Sequence, residues 1–445
     1  MPSWTHSVLG KVLAIGIPAV TTAGYVISRQ SLMDENKANS VINPSDAVAQ
    51  ISLSSKSNEN HATAIREAKK LCQQIQTIHG YPGLVVGVSI KGSPVWVHGF
   101  GFANIESGTK CTENTVMRIA SISKPITTLL LAKMVEKGEI DLDKSIYEYL
   151  GDKFPRKKFN GKPVNITLRQ LASHLSGIRH YHADEANTLS ANKHYNDSVE
   201  AMEIFKNDDL LCEPGTAFNY STYAYTVIAA VIESVLPNNQ KFADRLTSMM
   251  RDELGMKTTF LDENKQIILN RSAQYCKESG KLVNAPPVDC SYKWAGGGIL
   301  SSVPDLLRFG NVMLYSYIDS TIPGYLNRST VEILLTPNKI GSINLQRDFR
   351  PWTEYGLGWG MVKSSQPQYN HGNMPPVREI FFHTGSATGG TTLLMVIPEA
   401  EMVVSLICNL GDGGRLLWLG VEVMKIFLEE ENLSNHQPTH LKANL

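Results

Sequence analysis

The chain has 445 residues, of which 42% are hydrophobic and 19% charged, the make-up of a soluble globule with room for one large or two interleaved domains. Its 42 basic and 42 acidic side chains cancel, and no basic cluster is interleaved with aromatics, which argues against nucleic acid as a partner. None of the six cysteines (72, 111, 212, 276, 290, 408) forms a Cys-x-x-Cys pair, so zinc knuckles and thioredoxin-like redox chemistry are not indicated and free, mostly buried thiols are expected.

Residues 1–33 carry no acidic side chain, only Lys11 and Arg29 as bases, and an uncharged run from Val12 to Ser28 with Pro18 inside. That run falls short of the ~20 residues that span a bilayer comfortably. It reads as a secretory signal, a mitochondrial presequence or a short membrane anchor. The sequon Asn219-Tyr220-Ser221 lies within the candidate site argued below, where a glycan would be ruinous, so the mitochondrial reading leads and membrane association through 1–33 is retained as an alternative. Residues 34–62, rich in Asn and Ser without a sustained apolar period, read as a linker.

From Thr63 the apolar positions Ile65, Ala68, Cys72, Ile75 and Ile78 mark one face of a helix that stops before Gly80 and Pro82. Strands follow at 84–90 and 94–101 about a Lys-Gly-Ser turn. Residues 121–285 read as mainly helical, broken by the loops "SHLSGIRHYHADEAN" and "CEPGTAFNYST". After "AGGG" and one more helix come the strand signals "YGLGWGMV", "EIFFHTG", "TTLLMVIP" and "MVVSLICNL", a closing helix, and a tail at 433–445. The expected fold is α/β: an antiparallel sheet with flanking terminal helices (63–120 and 286–432) and an inserted, mainly helical domain (121–285).

Three short motifs carry chemistry. In "ASISKPITTLLLAKMV", Leu129, Leu130, Met134 and Val135 cover one helix face, and Pro125 is tolerable only in a first turn. The helix therefore starts at Ser121 to Ser123, and Ser121 and Lys124 share a face as i and i+3, with Ser123 pointing elsewhere. A serine with an amine one turn on is a nucleophile beside its base, or merely an N-cap followed by a solvated lysine. "FNYSTYAY" presents Tyr220 and Thr222 from a loop before an apolar helix, and "FFHTGSATGG" sets His383, Thr384 and Gly385 at a strand end, with Ser386 following. The group His180, His182 and Asp184 lacks an acidic partner at zincin spacing and reads as a solvated loop, so no metal is expected. "AGGG" lacks the Lys-Ser/Thr of a phosphate loop and reads as a tight turn.

Ser-x-x-Lys, Tyr-x-Thr and His-Thr-Gly occur in that order, and the ordered triple resembles the penicillin-recognising serine hydrolases, above all their class C-like branch with Tyr in the second motif. The segments "GLVVGVSIKGSPVWVHGFGFAN", "LASHLSGIRHY", "IFKNDDLLCEPGTAFNYSTYAYTVIAAVIE" and "SYKWAGGGILSSVPDLLRFGNVMLYSY" are similar to the animal mitochondrial serine β-lactamase-like branch, over residues 63–430. The resemblance implies a serine β-lactamase/transpeptidase-like fold and a cofactor-free serine hydrolase acting on a peptide or ester. It also implies placement in the mitochondrial intermembrane space, assembly into a homo-oligomer or filament, and a link to lipid metabolism. Thr222 stands where the bacterial pattern has Asn, and His383 where it has Lys, which puts β-lactam turnover in doubt.

The mechanism expected is deprotonation of Ser121 jointly by Lys124 and Tyr220, the phenolate being favoured by the lysine's charge, with Tyr220 returning a proton to the leaving group. The N–H groups of Ser121 and Ser386 would hold the oxyanion. His383 and Thr384, with Thr222 and Gly385, would recognise a carboxylate or amide of the substrate. Two rivals stand beside this reading: a scaffold that keeps the fold for self-assembly, and a secreted bacterial-type drug-resistance enzyme.

Overall fold

The computed structural model describes residues 61–181, 193–318, 324–338, 340, 354–363 and 377–435. All of them belong to the unit that runs from Ile42 to Leu445; the leader run, most of the 34–62 linker, His182, Asp184 and the tail from 436 on lie outside the described residues.

Helix α1 (Ala62–His79) ends where Gly80 adopts a left-handed backbone that a side chain would disfavour. Strands β1 (Gly83–Ile90) and β2 (Ser93–Asn104) pair antiparallel with Ile90 opposite Ser93. The connecting loop is therefore Lys91-Gly92, both at positive φ (49° and 77°), the two-residue hairpin geometry rather than the three-residue Lys-Gly-Ser turn expected.

With β3 (Thr109–Lys110), β4 (Glu354–Tyr355), β5 (Gly360–Lys363), β6 (Glu379–Ala387), β7 (Gly390–Ile397) and β8 (Met402–Cys408), these strands make one eight-stranded sheet in the order β4-β5-β6-β7-β8-β1-β2-β3. Every neighbouring pair in it is antiparallel, as the sequence pattern led us to expect.

The strands read as near-continuous apolar runs because both faces are covered. Alternation still sorts their side chains. Leu393, Met395, Val404 and Leu406 join a core with α1 and the closing helix α5 (Leu416–Asn435). Leu394, Val396, Val403 and Ile407 face a larger core shared with α2 (Ser123–Glu136), α3 (Thr222–Val235) and α4 (Val303–Tyr317).

The block 121–285 is not purely helical. Residues 275–278 and 281–284 form a hairpin, and residues 260–261 join a three-stranded sheet with 117–118 and 299–301. The turn at Ser279-Gly280, both at positive φ (49° and 78°), accounts for the hairpin. All six cysteines are free, four of them buried.

Candidate active site

The site is built on a strained turn. Ala120 has φ of 49°, a left-handed conformation that costs an alanine on the order of 1–3 kcal/mol. It opens a short 3₁₀ turn, Ala120–Ile122, that runs directly into α2. Ser123 Oγ donates to Ala120 O at 2.7 Å and pins the bend. Ser121 is thereby lifted to the surface of a cavity while its neighbours Ala120, Ile122 and Ser123 are buried.

One turn on, Lys124 is fully buried, and its Nζ lies 3.0 Å from Ser121 Oγ. The amine donates to Gly296 O at 2.6 Å and sits 3.3 Å from Thr222 Oγ1. Burial strips water from the ammonium and Lys293 adds like charge nearby, so the Lys124 pKa falls well below its ordinary value. The shift is toward the neutral amine.

Gly296 is what lets this carbonyl come so close. A Cβ there would stand 2.7 Å from Thr222 Cγ2. Trp294–Gly297 form one turn of helix before the strand at 299–301, not the tight turn expected of "AGGG", and the carbonyl contact with the lysine left no mark in the sequence.

Tyr220 reaches Ser121 from the other side, its hydroxyl donating to Ser121 Oγ at 2.8 Å. Burial raises the phenol's pKa, so Tyr220 is protonated at neutral pH. The phenolate expected from the lysine's charge is disfavoured, because loss of solvation dominates. Lys124 Nζ and Tyr220 Oη thus both stand within hydrogen-bond distance of one oxygen.

Strand β6 closes the third side. Gly385 faces the nucleophile turn rather than the cavity: a Cβ on it would lie 2.4 Å from Ile119 O and 3.1 Å from Ala120 Cβ. Its bareness lets the strand, not the substrate, approach. Thr392 Oγ1 of β7 donates to Ile119 O at 2.7 Å and fixes the same contact. Thr384 and the exposed Ser386 line the cavity of about 310 Å³ together with Ser121, Tyr220 and His383. Thr222 does not line it; the side chain is buried against Lys124.

His383 is buried, and desolvation with the nearby Lys124 lowers its pKa to about 3. Its Nε2 lies 2.9 Å from Tyr355 Oη of β4, and that oxygen lies 3.2 Å from His174 Nε2. His174 Nδ1 in turn accepts the Ser221 N–H at 3.1 Å, and His180 Nδ1 accepts the Thr222 N–H at 3.1 Å. Two imidazoles thus cap successive amides at the N-terminus of α3. Sequence reasoning assigned no role to His174 or Tyr355 and read His180 as part of a solvated loop, whereas it lines the cavity. "SHLSG" and "YGLGWG" were visible as a loop and a strand, but only the fold brings them to His383. Among the described residues no cluster of three metal-ligating side chains occurs.

A profile of the Beta-lactamase family matches residues 68–416 of the chain. The human "Serine beta-lactamase-like protein LACTB, mitochondrial" is 34% identical over 451 residues, covering 83% of this chain and 80% of the human protein. Among solved structures, the octameric penicillin-binding protein homologue from Pyrococcus abyssi superposes with a TM-score of 0.65 at 22% identity, over 82% of this chain and 77% of that one. A class C beta-lactamase superposes with a TM-score of 0.62 at 16% identity, over 88% of this chain and 100% of that one.

Proposed function

The chain belongs to the beta-lactamase family, and from that premise we propose that it is a serine hydrolase of peptidase or esterase type, working through an acyl-enzyme on Ser121. One observation carries the reading: Ser121 Oγ, at the edge of a cavity, is contacted by both the Lys124 amine and the Tyr220 hydroxyl, at 3.0 and 2.8 Å. A scaffold has no use for a buried, uncharged lysine beside a serine.

In this mechanism Ser121 gives its proton to Lys124 Nζ as Oγ attacks the carbonyl carbon. The oxyanion forms against the N–H groups of Ser121 and Ser386, on the nucleophile turn and on the strand that bare Gly385 lets pack against it. As the bond to the leaving group breaks, Tyr220 gives that group its proton and regains one from the Lys124 ammonium. Water then attacks the ester, losing its proton to Lys124, which hands it to Ser121 Oγ as the ester bond breaks and the serine leaves as the alcohol. No cofactor or metal is called for.

His383, Thr384 and Ser386 present the substrate-facing edge of β6, and Thr222 serves by holding Lys124. The human relative's name supports a mitochondrial location, and we place the protein in the intermembrane space, with residues 1–33 as targeting or anchoring segment and 34–62 as linker. The octameric neighbour supports a homo-oligomer and gives the second reading, a filament-forming scaffold, its one specific footing. A role in lipid metabolism is part of the same proposal.

The test is the intact mass of the full chain after a fluorophosphonate probe, beside Ser121→Ala. A single adduct that vanishes in the variant is expected. A folded, monodisperse protein that takes no adduct would leave the scaffold.

A further inference from the structure

The chain of contacts between Ser221 and Thr384 has its protons fixed by its two ends. A backbone N–H can only donate, so His174 Nδ1, which takes the Ser221 N–H at 3.1 Å, is bare. A carbonyl can only accept, so His383 Nδ1, 2.6 Å from Thr384 O, carries a hydrogen. With each ring neutral, His174 has its proton on Nε2 and His383 has Nε2 bare. The Tyr355 hydroxyl between them must therefore accept from His174 at 3.2 Å and donate to His383 at 2.9 Å. The row runs in one direction, with the Tyr225 hydroxyl as a further neighbour of Tyr355.

We propose that Tyr355 is a positioning residue: through this one-directional row of hydrogen bonds it locks His383 neutral in a single tautomer and fixes strand β6 against the loop that carries Tyr220.

Two independent features of the fold support a built device. His174 is fully buried at φ of 60°, a left-handed backbone that a histidine adopts only when its surroundings over-determine it. Its ring also packs on Tyr220, centroids 4.2 Å apart, so the row touches the proton donor itself. The titratable groups that face the two rings are Lys124, His180, Tyr220 and Tyr225, and none of them is a carboxylate that would favour an imidazolium. An added proton on His383 Nε2 would set two donors against the Tyr355 oxygen and turn the Tyr355 proton away to the neighbouring Tyr225 hydroxyl, whose own proton is held by Ala172 O at 2.9 Å.

The inference rests on the proposed serine chemistry for its kinetic readout only. The first measurement is ¹⁵N spectroscopy of the full chain labelled at histidine, assigned with His174→Gln and His383→Gln. His383 is expected with Nδ1 protonated and Nε2 bare, and His174 with the reverse, from pH 8 to pH 5. The opposite tautomer at either ring, or a charged ring at pH 6, overturns the proposal.

The second measurement is the rate of Ser121 labelling in Tyr355→Phe. A fall of about 10–100-fold at saturating probe, with the probe's half-saturation unchanged, is the expected result for lost positioning. A rate and pH profile equal to the parent's would overturn it. If Tyr355→Phe does not fold, the tautomers of the parent decide. The expected tautomers in a protein that never labels at Ser121 would sink the hydrolase reading and leave the row of bonds intact.

Discussion

The amine of Lys124 is held more closely by Gly296 O, at 2.6 Å, than it approaches Ser121 Oγ, at 3.0 Å. The carbonyl can only accept, so one N–H of the amine is committed away from the serine. What faces Ser121 is then free to be a lone pair, provided the amine is neutral. Burial supplies that condition, and the backbone of residue 296 supplies the orientation.

The first prediction is the pH dependence of acylation. Lys124 acts when unprotonated, so the rate rises as pH climbs through its depressed pKa, and the acid limb belongs to this residue. Lys124→Met should lower the acylation rate by about 10²–10⁴-fold. Lys124→Arg should be equally inactive, because a guanidinium stays protonated. Stopped-flow labelling across pH 5–9 measures this, and an active arginine variant would remove lysine from the base's role.

Tyr220 should behave differently. Its phenol keeps its proton well above neutrality, so no alkaline limb is expected up to pH 9. Tyr220→Phe should leave the acid limb in place while slowing turnover of a poor leaving group far more than that of a good one, because the lost group is a proton donor. Comparing an amide with an activated ester of the same acyl group makes the distinction. An acid limb that moves in Tyr220→Phe would return the phenol to the base.

Stability should fall in mild acid. The unfolded chain protonates His383 below its ordinary value of 6.5, whereas the folded chain resists until about 3. The unfolded state binds the extra proton throughout that window, so stability is complete above pH 6.5 and declines as pH drops through it. His174, lowered by burial beside Lys124, adds in the same sense. Well below its ordinary value, His383 alone lowers the folding equilibrium constant by about tenfold per pH unit. Thermal unfolding between pH 7 and 5 should show the decline, and His383→Gln should flatten it. A midpoint indifferent to pH in this range would mean the rings are not buried neutral.

The sequence made Ser121 and Lys124 legible because the site begins with a local relation: i and i+3 on one helix turn need no knowledge of the rest of the fold. The sheet was equally visible, since 84–90, 94–101 and the late apolar runs are strand signals that survive burial on both faces. Tyr220 and His383 could be placed at loop and strand ends. What they touch could not, because those contacts link positions such as 174, 355 and 383 that no local period connects. Gly385 shows the limit well. Its lack of a side chain was evident, but which neighbour needed the space, Ile119 O rather than a substrate, is a tertiary fact.

That glycine makes a sharp test of how near β6 must be. In Gly385→Ala the new methyl would sit 2.1 Å from Thr392 Oγ1 and 2.4 Å from Ile119 O, and the second is backbone that cannot swing aside. The strand must retreat from the nucleophile turn. Oxyanion donors work only within a few tenths of an ångström, so labelling should fall by about 10²–10³-fold. Circular dichroism should stay near that of the parent. Full activity in the variant would take Ser386 N–H out of the oxyanion site.

The last prediction concerns substrate charge. A bacterial lysine at position 383 would offer a cation to a carboxylate; here the ring is neutral across pH 5–8. The cavity is lined by Tyr181, Tyr220, Tyr355 and Phe382, and among the described lining residues there is no lysine or arginine. A substrate carboxylate entering it would lose water without gaining a charged partner. A hydrogen bond to a charged group contributes about 1.5–3 kcal/mol. Its absence should make an ester ending in a carboxamide better than its carboxylate twin by about 10–150-fold in kcat/KM. His383→Lys should narrow that ratio, since it restores the cation at the same strand position. Steady-state kinetics on the matched pair measures it, and a parent enzyme that prefers the carboxylate would contradict a neutral site.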